Sequence, residues 1–206
     1  MAKFIKIYEE NPNEKQVREV VNTLRNGGLV IFPTDTVYSL GCDINNPKAL
    51  KKLAQIKGVN IEKAKFSFIT DSLSNLSDYI GQISNPTFKL LKRALPGPYT
   101  FIMPSNSKLP KPFKKKKTVG IRIPDNAIIS TIVKELGNPV ASTSIKDDDE
   151  FIEYATDPEE IFKNWQNKVD IVIDGGFGGN KASSVIDVSS GIPELIREGK
   201  GSIDVL

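Results

Sequence analysis

Gly28-Leu-Val-Ile-Phe-Pro-Thr-Asp-Thr-Val-Tyr-Ser-Leu-Gly-Cys42 places hydroxyl and carboxylate groups between two apolar runs, and its reading decides the fold. Positions 29–32 form a short apolar run bounded by Gly28 and Pro33, the pattern of a strand covered on both faces. Thr34, Asp35, Thr36 and Tyr38 follow at once, where strand ends meet ligands in α/β proteins.

Working outward, Glu14–Arg25 carries Val17, Val20, Val21 and Leu24 at helical spacing and stops at Gly27 and Gly28. Pro47–Ile56 repeats the pattern, with Pro47 at a helix start and Gly58 beyond its end, which puts Lys57 at a helix terminus. Residues 66–69 and 99–103 read as strands, separated by a helix over 86–95 that Pro96 and Gly97 end. A strand at 119–123 stops at Pro124, a helix at Ala127–Leu136 stops at Gly137, and Val140–Ser144 is the next strand. Asp157 caps a helix running to Trp165, and Ile171–Asp174, Ser184–Asp187 and Glu194–Arg197 are short strands, the first two separated by Gly175-Gly-Phe-Gly-Gly179. This interleaving predicts helices packed on a largely parallel or mixed sheet, with the last strands able to pair antiparallel.

The chain has 206 residues, 39% of them hydrophobic, which allows a sizeable core in one α/β domain over 1–206. A net charge of +3 is mild, so any affinity for nucleic acid must come from local clusters. Two exist: Lys108, Lys111, Lys114, Lys115, Lys116 and Lys117, and a set that includes Lys57, Lys63 and Lys65. Pro104, Pro110 and Pro112 also fit the first set to a solvated loop whose charge needs no partner. Histidine is absent and Cys42 is the single cysteine, so an internal disulfide, a Cys/His metal site and imidazole-based nucleophilic catalysis are excluded. Positioning and charge stabilisation by Lys, Arg and hydroxyl groups remain, and these suit reactions at phosphorus. The N-terminus lacks a signal-peptide core and no apolar run approaches the roughly 18 residues of a membrane span, so the expectation is a cytoplasmic protein without a membrane partner.

Four later segments carry candidate chemistry. In Thr118-Val-Gly-Ile-Arg-Ile-Pro124, strand alternation puts Gly120 and Arg122 on one face, so the guanidinium projects over an open glycine surface. It fits an anion ligand or a structural ion pair equally well. Pro139-Val-Ala-Ser-Thr-Ser144 puts Ser142 and Ser144 on one face, as ligands or as hydroxyls that satisfy their own backbone. Ser183-Ser-Val-Ile-Asp-Val188 and Ile196-Arg-Glu-Gly199 close the series, with Arg197 a phosphate ligand or a salt bridge on an edge strand.

With the opening stretch, these segments resemble the signature of the YrdC-like family of threonylcarbamoyl-AMP synthases: Pro-Thr-Asp/Glu-Thr-x-Tyr, Gly-x-Arg-x-Pro, a strand ending in Ser, Ser/Thr-Val-Val-Asp and Leu-Arg-x-Gly. The resemblance implies a twisted, mixed α/β sheet with flanking helices around a basic concave cleft. It implies condensation of threonine, bicarbonate and ATP to threonylcarbamoyl-AMP and pyrophosphate, for modification of the adenosine beside the tRNA anticodon. On that mapping Thr34, Arg122 and Ser142 hold threonine, and Lys57, Ser144, Ser184 and Arg197 contact the nucleotide. Thr36, Tyr38 and Lys63 support the pocket, and Mg2+ accompanies ATP, which neutralises charge at the attacked phosphorus.

The chain also departs from the family. Ser39 replaces a glycine, Ile145-Lys146 stands where an asparagine is usual, and Lys57-Gly-Val-Asn-Ile-Glu-Lys63 has Val59 where the family has arginine and Lys63 where it has asparagine. Valine donates no hydrogen bonds from its side chain, so Lys63 or Lys65 would have to act as substitute phosphate ligands. The pattern resembles the YciO branch. Three readings follow: an adenylate-forming nucleotidyltransferase, a module binding tRNA or double-stranded RNA without adenylate synthesis, and a hydrolase of nucleotide or modified tRNA with Asp35, Asp174 or Asp187 as base. The acidic run at 147–150 reads as a solvated loop rather than a metal site.

Overall fold

The computed structural model describes residues 1–74, 76–145 and 155–206. Its strands are β1 (Lys3–Lys6), β2 (Val30–Phe32), β3 (Ser39–Asp43), β4 (Ser67–Ile69), β5 (Tyr99–Pro104), β6 (Thr118–Arg122), β7 (Val140–Ser144), β8 (Ile171–Asp174), β9 (Ser184–Asp187) and β10 (Glu194–Arg197). They form one sheet in the order β1-β8-β2-β3-β7-β4-β6-β5-β9-β10. Pairing is mixed: β8 is parallel to β1 and β2, β4 to β6 and β5 to β9, while β3 is antiparallel to both its neighbours and β10 to β9.

Five α-helices cover the sheet: α1 (Glu14–Arg25), α2 (Pro47–Ile56), α3 (Asn85–Ala94), α4 (Ala127–Leu136) and α5 (Pro158–Trp165). Each starts at a side-chain cap: Asn13, Asn46, Ser84, Asn126 and Asp157 accept from amides of the first turn. Val17, Val20 and Leu24 of α1 join Ile129, Ile132 and Val133 of α4 over Val30 and Phe32. Leu29 and Ile31 face the opposite core with Leu50 and Leu53 of α2. The run at 29–32 is therefore covered on both sides, as its uniform apolarity requires.

The stretch after β2 differs from a simple strand end. β3 returns antiparallel beside β2, with Val30 opposite Gly41 and Phe32 opposite Ser39, so 33–38 is a connection between adjacent strands. Ser39, Gly41 and Asp43 interrupt the apolar run and mask β3 in the sequence. Gly41 is required by packing, because a Cβ there would lie 2.6 Å from the Val140 side chain and 2.9 Å from the Phe32 ring. Lys146 and the acidic run at 147–150 lie outside the described residues.

Candidate functional site

One face of the sheet opens into a cavity of about 720 Å³. Its floor follows from strand register: Ser142 of β7 lies opposite Ser67 of β4, which lies opposite Gly120 of β6. Residues opposite each other share a face, and all three line the cavity. Small side chains on three neighbouring strands leave the floor open at Gly120. A Cβ there would sit 3.3 Å from Thr100 Cγ2.

Two residues beyond Gly120 on the same face, Arg122 reaches the cavity wall from inside the fold, with only 6% of its surface exposed. Its Nη2 donates to Asp35 Oδ1 and to Thr36 Oγ1, both at 3.0 Å. Its Nε is buried with no hydrogen-bond partner, an expensive state for a charged donor unless a ligand meets it. Burial lowers the guanidinium's pKa, Asp35 opposes that and the nearby Arg197 adds to it. Burial likewise raises the Asp35 carboxyl, against the pull of Arg122, the Asp125 amide and Lys200. Arginine keeps its proton in proteins, so Arg122 holds a permanent positive charge against Asp35.

The hydroxyls behind Arg122 form a directed chain. Thr34 Oγ1 donates to Val37 O at 2.8 Å and accepts from the Thr36 amide at 3.1 Å. Its proton is thereby used, so in the 3.0 Å contact between the two hydroxyls Thr36 is the donor. Thr36 Oγ1 thus accepts from Arg122 while its own proton is held away from the cavity.

Arg197 faces the same cavity from β10, its Nη2 donating to Ser183 O at 2.8 Å. The strap that follows is fixed by Ser184, whose Oγ donates to Gly201 O at 2.6 Å and accepts from the Gly199 amide at 2.9 Å. Gly199 is obligatory there, since a Cβ would lie 2.3 Å from Ala182 O. The strap also brings Lys200 Nζ to the backbone carbonyl of Asp35.

The wall further includes Lys63, Lys65, Lys116 and Lys117. Lys116 Nζ donates to Ala64 O and lies 5.8 Å from the centre of the Phe113 ring. Its pKa is lowered, first by burial and then by Lys65. Asp187, with Oδ1 accepting from the Ser189 amide at 2.8 Å, is the one carboxylate among the described wall residues.

Of the candidate ligands, Thr36, Lys63, Arg122, Ser142, Ser144 and Arg197 converge on this wall. Thr34, Tyr38, Lys57 and Ser184 are not part of it. Thr34 and Ser184 brace the residues that are. Tyr38 is fully buried and joins the Gly175–Gly179 loop to the core, donating to Gly176 O at 2.7 Å and accepting from the Gly175 amide at 3.1 Å. Burial pushes its pKa up to about 12. Lys57 caps the C-terminus of α2. Among the candidate bases, Asp35 is committed to Arg122, Asp174 accepts from the Gly176 amide and only Asp187 reaches the cavity. Of the lysine run at 108–117, Lys116 and Lys117 line the cavity while Lys108 pairs with Asp78 at 3.0 Å. Sequence reasoning missed Ser67 and Thr100, isolated hydroxyls in apolar strands that no local pattern distinguishes.

The Sua5/YciO/YrdC family model, described as telomere recombination, matches residues 22–199. The chain belongs to this family. Uncharacterized protein YciO of Escherichia coli is 35% identical over 206 residues, 98% of each chain. Its crystal structure superposes with a TM-score of 0.91 over 100% of this chain and 99% of that one, at 34% identity. Threonylcarbamoyl-AMP synthase of Bacillus subtilis is 30% identical over 200 residues, covering 95% of this chain and 57% of that protein. P. abyssi Sua5 complexed with L-threonine matches with a TM-score of 0.86 at 27% identity, over 96% of this chain and 58% of that one. The twisted mixed sheet is thus the Sua5/YciO/YrdC fold. Within that frame Val59, which stands in place of the family arginine, is 43% exposed, while Lys63 and Lys65 face the cavity.

The described residues contain no group of three or more Asp, Glu, Cys or His side chains able to hold a metal ion. With Asp187 as its one carboxylate among the described residues, the wall does not fit an all-protein magnesium cage. Among the described residues no helix is long and apolar enough to cross a membrane.

Proposed function

We propose that this protein condenses L-threonine, bicarbonate and ATP to threonylcarbamoyl-AMP, releasing pyrophosphate and water. The observation that carries the proposal is Arg122, which lines a cavity of about 720 Å³ and whose buried Nε has no partner. A buried guanidinium with an open donor suits a planar carboxylate. The volume falls within the roughly 300–1,000 Å³ typical of sites for larger small molecules, more than an amino acid alone requires.

In this reading Arg122 takes the threonine carboxylate and Ser142 lies on the adjoining floor. Ser144, Arg197 and the wall lysines receive the nucleotide and its phosphates. The threonine nitrogen captures the carbon derived from bicarbonate, and an oxygen of the resulting carbamate attacks the α-phosphorus, with pyrophosphate leaving. The chain supplies positioning and charge, the principal requirements of phosphoryl-type transfer. Similarity to the B. subtilis synthase and to the threonine-bound Sua5 supports this assignment. A role in tRNA threonylcarbamoyladenosine formation and a cytoplasmic location belong to the same proposal.

The test is pyrophosphate release from ATP, with mass-spectrometric detection of the adenylate. Release that needs both threonine and bicarbonate establishes the activity. If no adenylate forms while double-stranded RNA or tRNA binds with strong salt dependence, the RNA-binding reading replaces it. Hydrolysis of nucleotide without either co-substrate would instead favour a hydrolase using Asp187, the candidate base on the wall.

A further inference from the structure

The two ends of the cavity carry their charge differently. Arg122 is buried and paired, its Nη2 tied to Asp35 and Thr36. Lys63, Lys65, Lys116 and Lys117 form no salt bridge with a carboxylate among the described residues. Asp35 is itself held on both oxygens: Oδ1 accepts from Arg122 at 3.0 Å and Oδ2 from the Asp125 amide at 3.2 Å. It does not line the cavity, so it acts on a ligand only through Arg122.

We infer that Asp35 is a positioning and specificity-determining residue, whose pairing with Arg122 makes this end of the cavity accept a carboxylate and disfavour phosphate. The inference rests on the proposed reading of Arg122 as the carboxylate ligand. Three steps carry it. Asp35 and Thr36 occupy Nη2 and fix the guanidinium plane, which leaves Nη1 and the unpartnered Nε as the donors available to an incoming anion. Asp35 sets a negative charge directly against the guanidinium of Arg122, with Arg197 and Lys200 as further cations nearby, so the repulsion an anion meets at this donor comes from Asp35 and grows with the anion's charge. A monoanionic carboxylate bears that well, whereas phosphate carries nearly two charges and meets stronger repulsion from Asp35 and a larger desolvation penalty. Phosphates are thereby left to the lysine end, and a ligand with both groups has one favoured orientation.

The experiment measures binding of L-threonine, acetate and inorganic phosphate to the whole protein and to D35N, D35E and R122Q. D35N removes the charge, keeps an acceptor oxygen for Arg122 and gives up the bond from the Asp125 amide. It should weaken threonine about tenfold and let phosphate compete with threonine about tenfold better, a near hundredfold change in the ratio. D35E should restore the ratio, and R122Q should abolish both threonine binding and the phosphate gain. A loss of packing alone would weaken both anions together, so a D35N protein with an unchanged ratio, or with both anions equally weakened, overturns the inference. If D35N melts early, T36V removes one tether and keeps the charge pair. There phosphate should compete no better than with the parent, and a phosphate gain would overturn the inference. Acetate binding that depends on Arg122, without threonine binding, would defeat the synthase reading while the Asp35 inference stands. Absence of any anion binding through Arg122 defeats both.

Discussion

Arg122 and Asp35 meet at 3.0 Å with side chains only 7% and 8% exposed, from segments 87 positions apart in the chain. Removing either partner leaves an isolated buried charge, which typically costs about 3–5 kcal/mol. The two losses are unequal in kind. Asp35 left alone can take up a proton, whereas Arg122 left alone cannot release one. D35A is therefore expected to lower stability more than R122M, and the double variant to lose less than the sum of the singles. Chemical denaturation of the three variants measures this; additive losses would show that the pair is not coupled.

Gly120 separates binding from folding. A side chain there enters the open floor, 3.3 Å from Thr100 Cγ2 and 3.8 Å or more from Ser67. Valine suits a strand, so G120V should stay within about 1 kcal/mol of the parent in stability. It should lose threonine binding and adenylate formation, because its methyl groups enter the cavity from its floor. Retained activity would place the ligand elsewhere.

Lysine exchange distinguishes the cavity wall from the end of α2. K65A and K116A remove cations facing the cavity and should each weaken ATP by about tenfold, as expected for a charge-assisted contact. K57A, outside the wall, should leave ATP affinity within about twofold. Calorimetric titration of the three variants gives the answer, and the reverse ranking would restore the role expected of Lys57 from its motif.

Tyr38 makes an alkaline prediction. Its hydroxyl is raised from an ordinary 10.0 to about 12 by burial, so between those values the unfolded chain has released a proton that the folded chain retains. Its contribution to stability is complete below pH 10 and is lost as pH rises toward 12, at no more than about 1.4 kcal/mol per pH unit. Y38F should lack this slope. At neutral pH it should cost about 1–3 kcal/mol, since Gly176 O and the Gly175 amide lose their shared partner, and proteolysis near Phe177 should accelerate.

Much of the fold was readable because glycine and proline punctuate it. Ala127–Leu136, Val140–Ser144 and Ile171–Asp174 have the bounds expected from pattern, each set by a turn residue or a change of period. β1 and β3 were not visible, since the first has one buried residue in four and the second alternates with Ser, Gly and Asp. At the site, cations were easier to place than hydroxyls. The motif around Arg122 left ion pair and anion ligand open, and the structure shows the ion pair together with a vacant donor. Thr34, Tyr38 and Ser184 were expected to touch ligands or line the pocket, yet each holds backbone instead. For Tyr38 the partner is 138 residues away, a relationship no local spacing encodes.

The pairing of Ser184 with Gly199 and Gly201 has a consequence for how the protein is made. Arg197 is aimed by this late stretch of chain, while the floor beneath it comes from β7, β4 and β6. During translation Asp35 and Arg122 emerge before the strap around Gly199, so Arg197 joins them only once that strap has left the ribosome. A nascent chain without the strap therefore lacks a fixed Arg197, and ligand capture marks completed synthesis of this wall.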